Sequence, residues 1–250
     1  MLAIKSNPWI ICPKPNPLSR LRLFCFPCAG GLPGVFIPWS DVLPADIEVC
    51  AIQLPGRGRR INEESFTRLK PLIEALIPAF EGYLDKPFVF LGHSMGAVLA
   101  FEIIRKLRQQ GRSLPLHLFA CCCPAPQKPI VKPSICKLPE AAFIAELCHR
   151  YNAIPDYIRE DKEMMQLFLP SLRSDFILIE NYCYEEARPL DLPISVFGGL
   201  DDRAITKEDV DLWRTQTTNS FSLEMFPGDH FFINNARSNF LSILSQKLEQ

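Results

Sequence analysis

The chain carries almost no surplus of charge: 27 lysines and arginines stand against 28 aspartates and glutamates, a net charge of −1 over 250 residues. Such a balance supplies no overall field for nucleic acid or an anionic membrane, so neither is expected as a partner, and only a local basic patch could act. No run of 18 apolar residues occurs, which excludes an obvious membrane-spanning helix. The start, Met1-Leu2-Ala3-Ile4-Lys5-Ser6-Asn7-Pro8, has neither the charged segment nor the apolar stretch of a secretory signal. A soluble, cytoplasmic, monomeric protein is the expectation. Internal repeats and low-complexity tracts are missing, and only four histidines are available for any chemistry that needs an imidazole.

Ten cysteines are present, but without an export signal they are expected to stay reduced. Cys121-Cys122-Cys123 ends an apolar run, where thiols act as small core side chains. Cys25-Phe26-Pro27-Cys28 has C-x-x-C spacing, yet it ends a strand and no second pair supplies further zinc ligands. No metal and no cofactor are expected. Hydrophobic residues at 48% and charged residues at 22% are a globular balance. The length suits one domain, residues 1–250.

Continuous apolar runs at Arg22–Phe26, Ile47–Ile52, Pro87–Leu91, Leu116–Cys123, Pro193–Gly199 and Ser222–Phe226 read as buried strands. Helical patterns separate them, over Phe66 to Leu84 with Pro71 and Pro78 able to bend or divide it, over Ala97 to about Gln110, and at the C-terminus. Strands alternating with helices predict an α/β fold with a mostly parallel sheet flanked by helices. The rhythm breaks at about 125–190, where Pro124, Pro126, Pro129, Pro133 and Pro139 space a linker ahead of helical segments around Glu140–His149 and Glu160–Tyr184. An insertion of that size is expected to be a helical lid over the ends of the strands.

Gly92-His93-Ser94-Met95-Gly96 lies between the strand run Pro87–Leu91 and the helix from Ala97. G-x-S-x-G in that setting is a nucleophile elbow: the chain turns sharply, the glycines remove side chains that would clash, and the serine hydroxyl stands above the sheet. A serine needs an imidazole to take its proton. His93 is in the elbow itself, His117 lies in a strand and His149 in the insertion, whereas His230 sits in a Gly-Asp-His turn after the last strand and is the favoured base. The imidazole needs an acid. Asp201 follows Gly198-Gly199-Leu200 and is preferred, with Asp202 the adjacent competitor. The order Ser94, Asp201, His230 is that of the α/β-hydrolase fold. Oxyanion donors are expected from the backbone N–H of Met95 and of Ala29 in Pro27-Cys28-Ala29-Gly30-Gly31, with Cys28 an alternative to Ala29.

Together, Phe26-Pro27-Cys28-Ala29-Gly30-Gly31, Gln53-Leu54-Pro55-Gly56-Arg57-Gly58, the elbow, Gly198-Gly199-Leu200-Asp201-Asp202 and Gly228-Asp229-His230-Phe231-Phe232 make the chain resemble the type II thioesterases of nonribosomal peptide and polyketide synthesis. The resemblance implies hydrolysis of acyl or aminoacyl thioesters on the phosphopantetheine arm of carrier proteins, which would be the partners. It also implies that Arg57 belongs to a shared loop motif, for which a structural role in holding the loop is expected. Cys28 stands where the family often has a histidine or aromatic residue. A carboxylesterase or lipase with the same triad, and a silent hydrolase-like binding module, are the competing readings. Phe143, Ile144, Leu147, Met164, Phe168 and Leu172 of the insertion suit an acyl channel and core packing equally well.

Overall fold

The structure, a computed structural model, describes residues 7–128 and 133–249; Met1–Ser6 of the N-terminal segment and Pro129 of the proline-spaced linker lie outside them. The strands are β1 (Ile10–Ile11), β2 (Leu21–Phe26), β3 (Ile47–Ile52), β4 (Phe88–His93), β5 (Leu118–Cys121), β6 (Ile194–Gly199) and β7 (Phe221–Phe226). The helices are α1 (Leu69–Leu76), α2 (Met95–Gln109), α3 (Glu140–Tyr151), α4 (Asp156–Arg159), α5 (Lys162–Glu180), α6 (Lys207–Asp211), α7 (Phe232–Asn235) and α8 (Arg237–Leu248). Among the described residues, no helix is long and apolar enough to cross a membrane.

The strands form one sheet in the order β1-β3-β2-β4-β5-β6-β7, parallel throughout except for the short antiparallel β1. Every residue of β2 through β6 is buried, as strands covered on both faces must be, while the edge strand β7 is half-buried. Alternate residues share a face, so Phe24 and Phe26 of β2 meet Phe88 and Phe90 of β4. Their rings sit 4.9 Å apart at Phe26–Phe90, and Phe80 packs edge-on against Phe24 at 5.2 Å. Phe197, Phe240 and Trp39 form a second aromatic group.

The expected helix over Phe66–Leu84 is shorter and divided. Pro71 is tolerated as the third residue of α1, where a backbone N–H would have no partner within the helix, but Pro78 ends the α-helical ladder and the chain tightens into a 3-10 turn at Ile77–Phe80. β1 and the 3-10 turns at Pro33–Val35, Ile37–Asp41 and Leu212–Gln216 are too short to leave a periodic signature.

Chain order reverses between β3-β2 and β4, and the carboxyl ends of β2 and β4 therefore flank a topological switch point, the usual crevice for a site in such a sheet. The insertion builds α3, α4 and α5, whose own apolar cluster includes Phe143, Leu147, Tyr151, Leu172 and Phe176. Ala29, Ala204 and Phe231, from loops after β2, β6 and β7, pack against that cluster, which places the insertion over the crevice.

Candidate active site

Ser94 occupies the hinge between β4 and α2 with φ 54° and ψ −119°, a conformation that a serine adopts only where the surroundings enforce it. Its N–H donates to the Cys121 carbonyl at 2.8 Å. The flanking glycines are required by space. A Cβ at Gly92 would lie 2.3 Å from the Gly96 carbonyl oxygen, and one at Gly96 would lie 2.2 Å from that of Phe26. The elbow is thus wedged against the end of β2.

The turn after β7 brings His230 to the elbow, with its Nε2 2.9 Å from Ser94 Oγ. Nδ1 lies 2.7 Å from Asp202 Oδ2. Asp202 accepts a hydrogen bond from the Nδ1–H, which leaves Nε2 free to accept from the serine hydroxyl. Both side chains of the His–Asp pair are buried, at 3% and 2% exposure, so water does not compete for the bond. The other oxygen of Asp202 accepts from the Ala204 N–H at 2.9 Å. Cys122, itself at φ 45°, lies against the same carboxylate; burial first, then the Asp202 charge, pushes its thiol well above the ordinary range.

The expected acid is displaced by one residue. Asp201 is exposed, and its carboxylate accepts from the Gly228 N–H at 3.3 Å instead of reaching the imidazole. The physical cause is the turn after β6: the Leu200 and Asp201 N–H groups bond back to Phe226 and Gly228, which directs the Asp201 side chain along the surface and the next one inward.

His93 does more than occupy the elbow. Its Nε2 donates to the His230 carbonyl at 2.8 Å, fixing the backbone that carries the His230 ring. Burial first, then the neighbouring His230, pulls its pKa down to about 3, so it stays neutral, with its proton on Nε2. Sequence reasoning missed this role, because nothing in the spacing indicates which way the ring turns. His117 bonds Ser195 at the other end of the strands, and exposed His149 is on the insertion. Among the described residues, the N–H groups of Cys28, Ala29 and Met95 make no hydrogen bond within the protein, and all three residues line the cavity beside Ser94.

The profile of the thioesterase domain matches residues 21–248. The chain belongs to the thioesterase family. Its fold is that of the α/β hydrolases. It is 40% identical to the gramicidin S biosynthesis protein GrsT of Aneurinibacillus migulanus over 97% of this chain and 94% of that one. The type II thioesterase BorB from the borrelidin biosynthetic cluster superposes with a TM-score of 0.86 at 30% identity, covering 98% of each chain. RedJ, the thioesterase from the prodiginine pathway of Streptomyces coelicolor, gives 0.85 at 34% identity over 91% of this chain and 85% of its own.

In this thioesterase the cavity beside Ser94 is small, about 30 Å³. Tyr151 from α3 and Leu172, Phe176 and Ile179 from α5 roof it, with the Tyr151 ring edge-on to His230 at 5.0 Å. Of the insertion residues weighed for an acyl channel, Leu172 lines the cavity; Phe143 and Leu147 are core, Ile144 and Phe168 pack on it, and Met164 is exposed. Cys25 and Cys28 are kept neutral: burial pushes the first well up and the second to about 12.

Proposed function

We propose that this thioesterase hydrolyses acyl or aminoacyl thioesters on the phosphopantetheine arm of carrier proteins, clearing misprimed or stalled groups. Ser94 acts as nucleophile, His230 as base and then acid, and Asp202 as the carboxylate that orients it. The observation that carries this is the unbroken relay Ser94–His230–Asp202 at an elbow roofed by the insertion. The resemblance to GrsT and BorB supports the carrier-bound substrate.

The reaction runs in two halves. His230 takes the Ser94 proton as Oγ attacks the thioester carbonyl, and the negative charge on the carbonyl oxygen is met by the Met95 N–H and by that of Ala29. The pantetheine thiol leaves with the proton from His230. Water then gives a proton to His230 as it attacks the acyl-enzyme carbonyl, and His230 returns that proton to Ser94 Oγ as the Oγ–acyl bond breaks and the acid is released. A thiol leaves more readily than an alcohol, so the same site favours thioesters. Tyr151, Leu172, Phe176 and Ile179 roof the cavity, so these side chains shift aside for substrate to enter. Residues 1–250 act as one hydrolase domain, in the cytoplasm, with the insertion as lid.

Acyl-loaded carrier protein and the matching oxygen ester are the two substrates for the test. The thioester should be hydrolysed faster by a wide margin, and Ser94→Ala should abolish both reactions. Preference for the oxygen ester would turn the reading toward a carboxylesterase, and a wild-type protein that is inert and unlabelled by a fluorophosphonate would remove the enzymatic reading.

A further inference from the structure

One residue on the lid breaks the pattern of its helix. Phe168, Leu172, Phe176 and Ile179 form the inward stripe of α5 at three- and four-residue spacing, and Asp175 lies on that same stripe, with 2% exposure. A carboxylate there needs partners for its oxygens, because burial without them would force it to neutralise. It has three N–H donors. Arg57 of the Pro-Gly-Arg-Gly loop, itself 4% exposed, grips both oxygens, with Nη2 2.7 Å from Oδ1 and Nη1 on Oδ2. The third is the backbone N–H of Gly30, 2.7 Å from Oδ2.

Gly30 directly follows Ala29. At φ +70° it suits glycine alone, and a Cβ there would lie 2.8 Å from Leu172 Cδ1 and 3.0 Å from the Phe168 ring, so the loop lies directly against α5. The Gly31 N–H is taken up by the Cys28 carbonyl at 2.9 Å. Two of the loop's amides are therefore committed, one of them to Asp175, and the two that remain, on Cys28 and Ala29, sit at the cavity without an acceptor among the described residues. Arg57 in turn is tied to its own loop, through Nε to the Pro55 carbonyl at 3.3 Å and through its carbonyl to Gln53 Nε2 at 3.1 Å. Segments following β2 and β3 and the lid helix thus meet on one carboxylate.

We infer that Asp175 is a positioning residue for the oxyanion hole: braced by Arg57, it fixes the Ala29–Gly30 peptide, and so couples the seating of the lid helix to the aim of the donor opposite Met95. The inference rests on the proposed roles of Ser94 and Ala29. Buried ion pairs contribute little net stability relative to apolar replacements. What this one supplies is the orientation of a backbone donor, which matters only when charge develops on the substrate oxygen.

The test compares wild type, Asp175→Asn and the doubly neutralised Arg57→Gln/Asp175→Asn, each checked for folding by circular dichroism, using acyl-carrier thioester and an alkyl boronic acid as oxyanion mimic. Displacing a donor short of removing it should lower kcat by about 10–100-fold, change KM by less than about threefold, and weaken boronate inhibition by the same factor as kcat/KM falls. A general loosening of the fold would not produce that matched pair. Folded variants with kcat and boronate inhibition near wild type, or with the loss confined to KM, would overturn the inference. Should neither variant fold, amide exchange in the wild-type protein decides: the Gly30 N–H must be protected with and without boronate, and exchange at the rate of an open loop refutes its bond to Asp175. Ser94→Ala runs alongside. If it retains activity, the proposed mechanism fails; if it is dead while Asp175→Asn is unimpaired, only the positioning role does.

Discussion

Two serine–histidine hydrogen bonds of equal length, 2.9 Å, lie at opposite ends of the same sheet, and only one of them has the surroundings of a catalytic site. At the carboxyl ends, Ser94 stands on a strained elbow beside a cavity, and His230 has a buried carboxylate behind it. At the amino ends, Ser195 is the second residue of β6, 2% exposed, and its hydroxyl is shared between His117 and Ser222 at 2.8 Å. His117 has no carboxylate partner among the described residues; its ring stacks on Phe119 at 4.1 Å, and burial, then the charge of Lys247, pulls it down to about 4. That group ties β5, β6 and β7 together. A serine–histidine contact is thus a common way to satisfy two buried polar groups. What the other end adds is exposure toward a cavity, a carboxylate partner on the imidazole, and backbone amides without an acceptor among the described residues.

The contrast breaks first at the serines. Ser94→Ala should lower kcat/KM for acyl-carrier thioester by at least about 10⁴-fold, the scale on which a triad nucleophile matters. Ser195→Ala should leave it within about threefold while reducing the urea midpoint slightly. Steady-state kinetics on both variants decides, and a catalytic loss at Ser195 approaching that at Ser94 would abolish the distinction.

The neighbouring aspartates sharpen it at the next level. Asp202→Asn preserves shape but presents the wrong group to Nδ1, so a loss of about 10³–10⁴-fold in kcat is expected. Asp201→Asn should cost less than about fivefold, because among the described residues that side chain bonds only the Gly228 N–H, at the surface. Equal losses would mean that the turn after β6 samples both placements during catalysis.

These same aspartates mark the boundary of what the sequence makes legible. The elbow is readable because space allows only glycine at 92 and 96, and the five central strands are readable because burial on both faces demands predominantly apolar runs. His230 follows by elimination among four histidines. Asp201 and Asp202, however, differ by a single step of a turn whose path is set by bonds to Phe226 and Gly228, residues more than twenty positions away. Local spacing carries no trace of that. Arg57 was expected to hold its loop and does, but its partner Asp175 is 118 residues distant; the only local sign was an acid on an apolar helical stripe. His93 was readable as part of the elbow and unreadable as the anchor of His230, since its ring direction depends on the turn after β7, three strands along the sheet.

Two neutral histidines give the last and smallest contrast. In the unfolded chain an imidazole protonates near pH 6.5, whereas in the fold His93 holds out to about 3 and His117 to about 4. Between those values the unfolded state binds more protons, so stability falls as pH is lowered from about 6.5. At pH 4.5 each group should contribute a loss of up to about 2.7 kcal/mol relative to pH 7. Urea unfolding of His93→Gln and His117→Gln at pH 7, 5.5 and 4.5 should show a flatter decline than wild type in both variants, with the two slopes alike. Activity at pH 7 should separate them: His117→Gln should match wild type, whereas His93→Gln, with a less rigid donor to the His230 carbonyl, should lose severalfold in kcat. A pH slope unchanged by either substitution would mean that these imidazoles already charge within the native state, and His93 could not then act as the neutral anchor of the base.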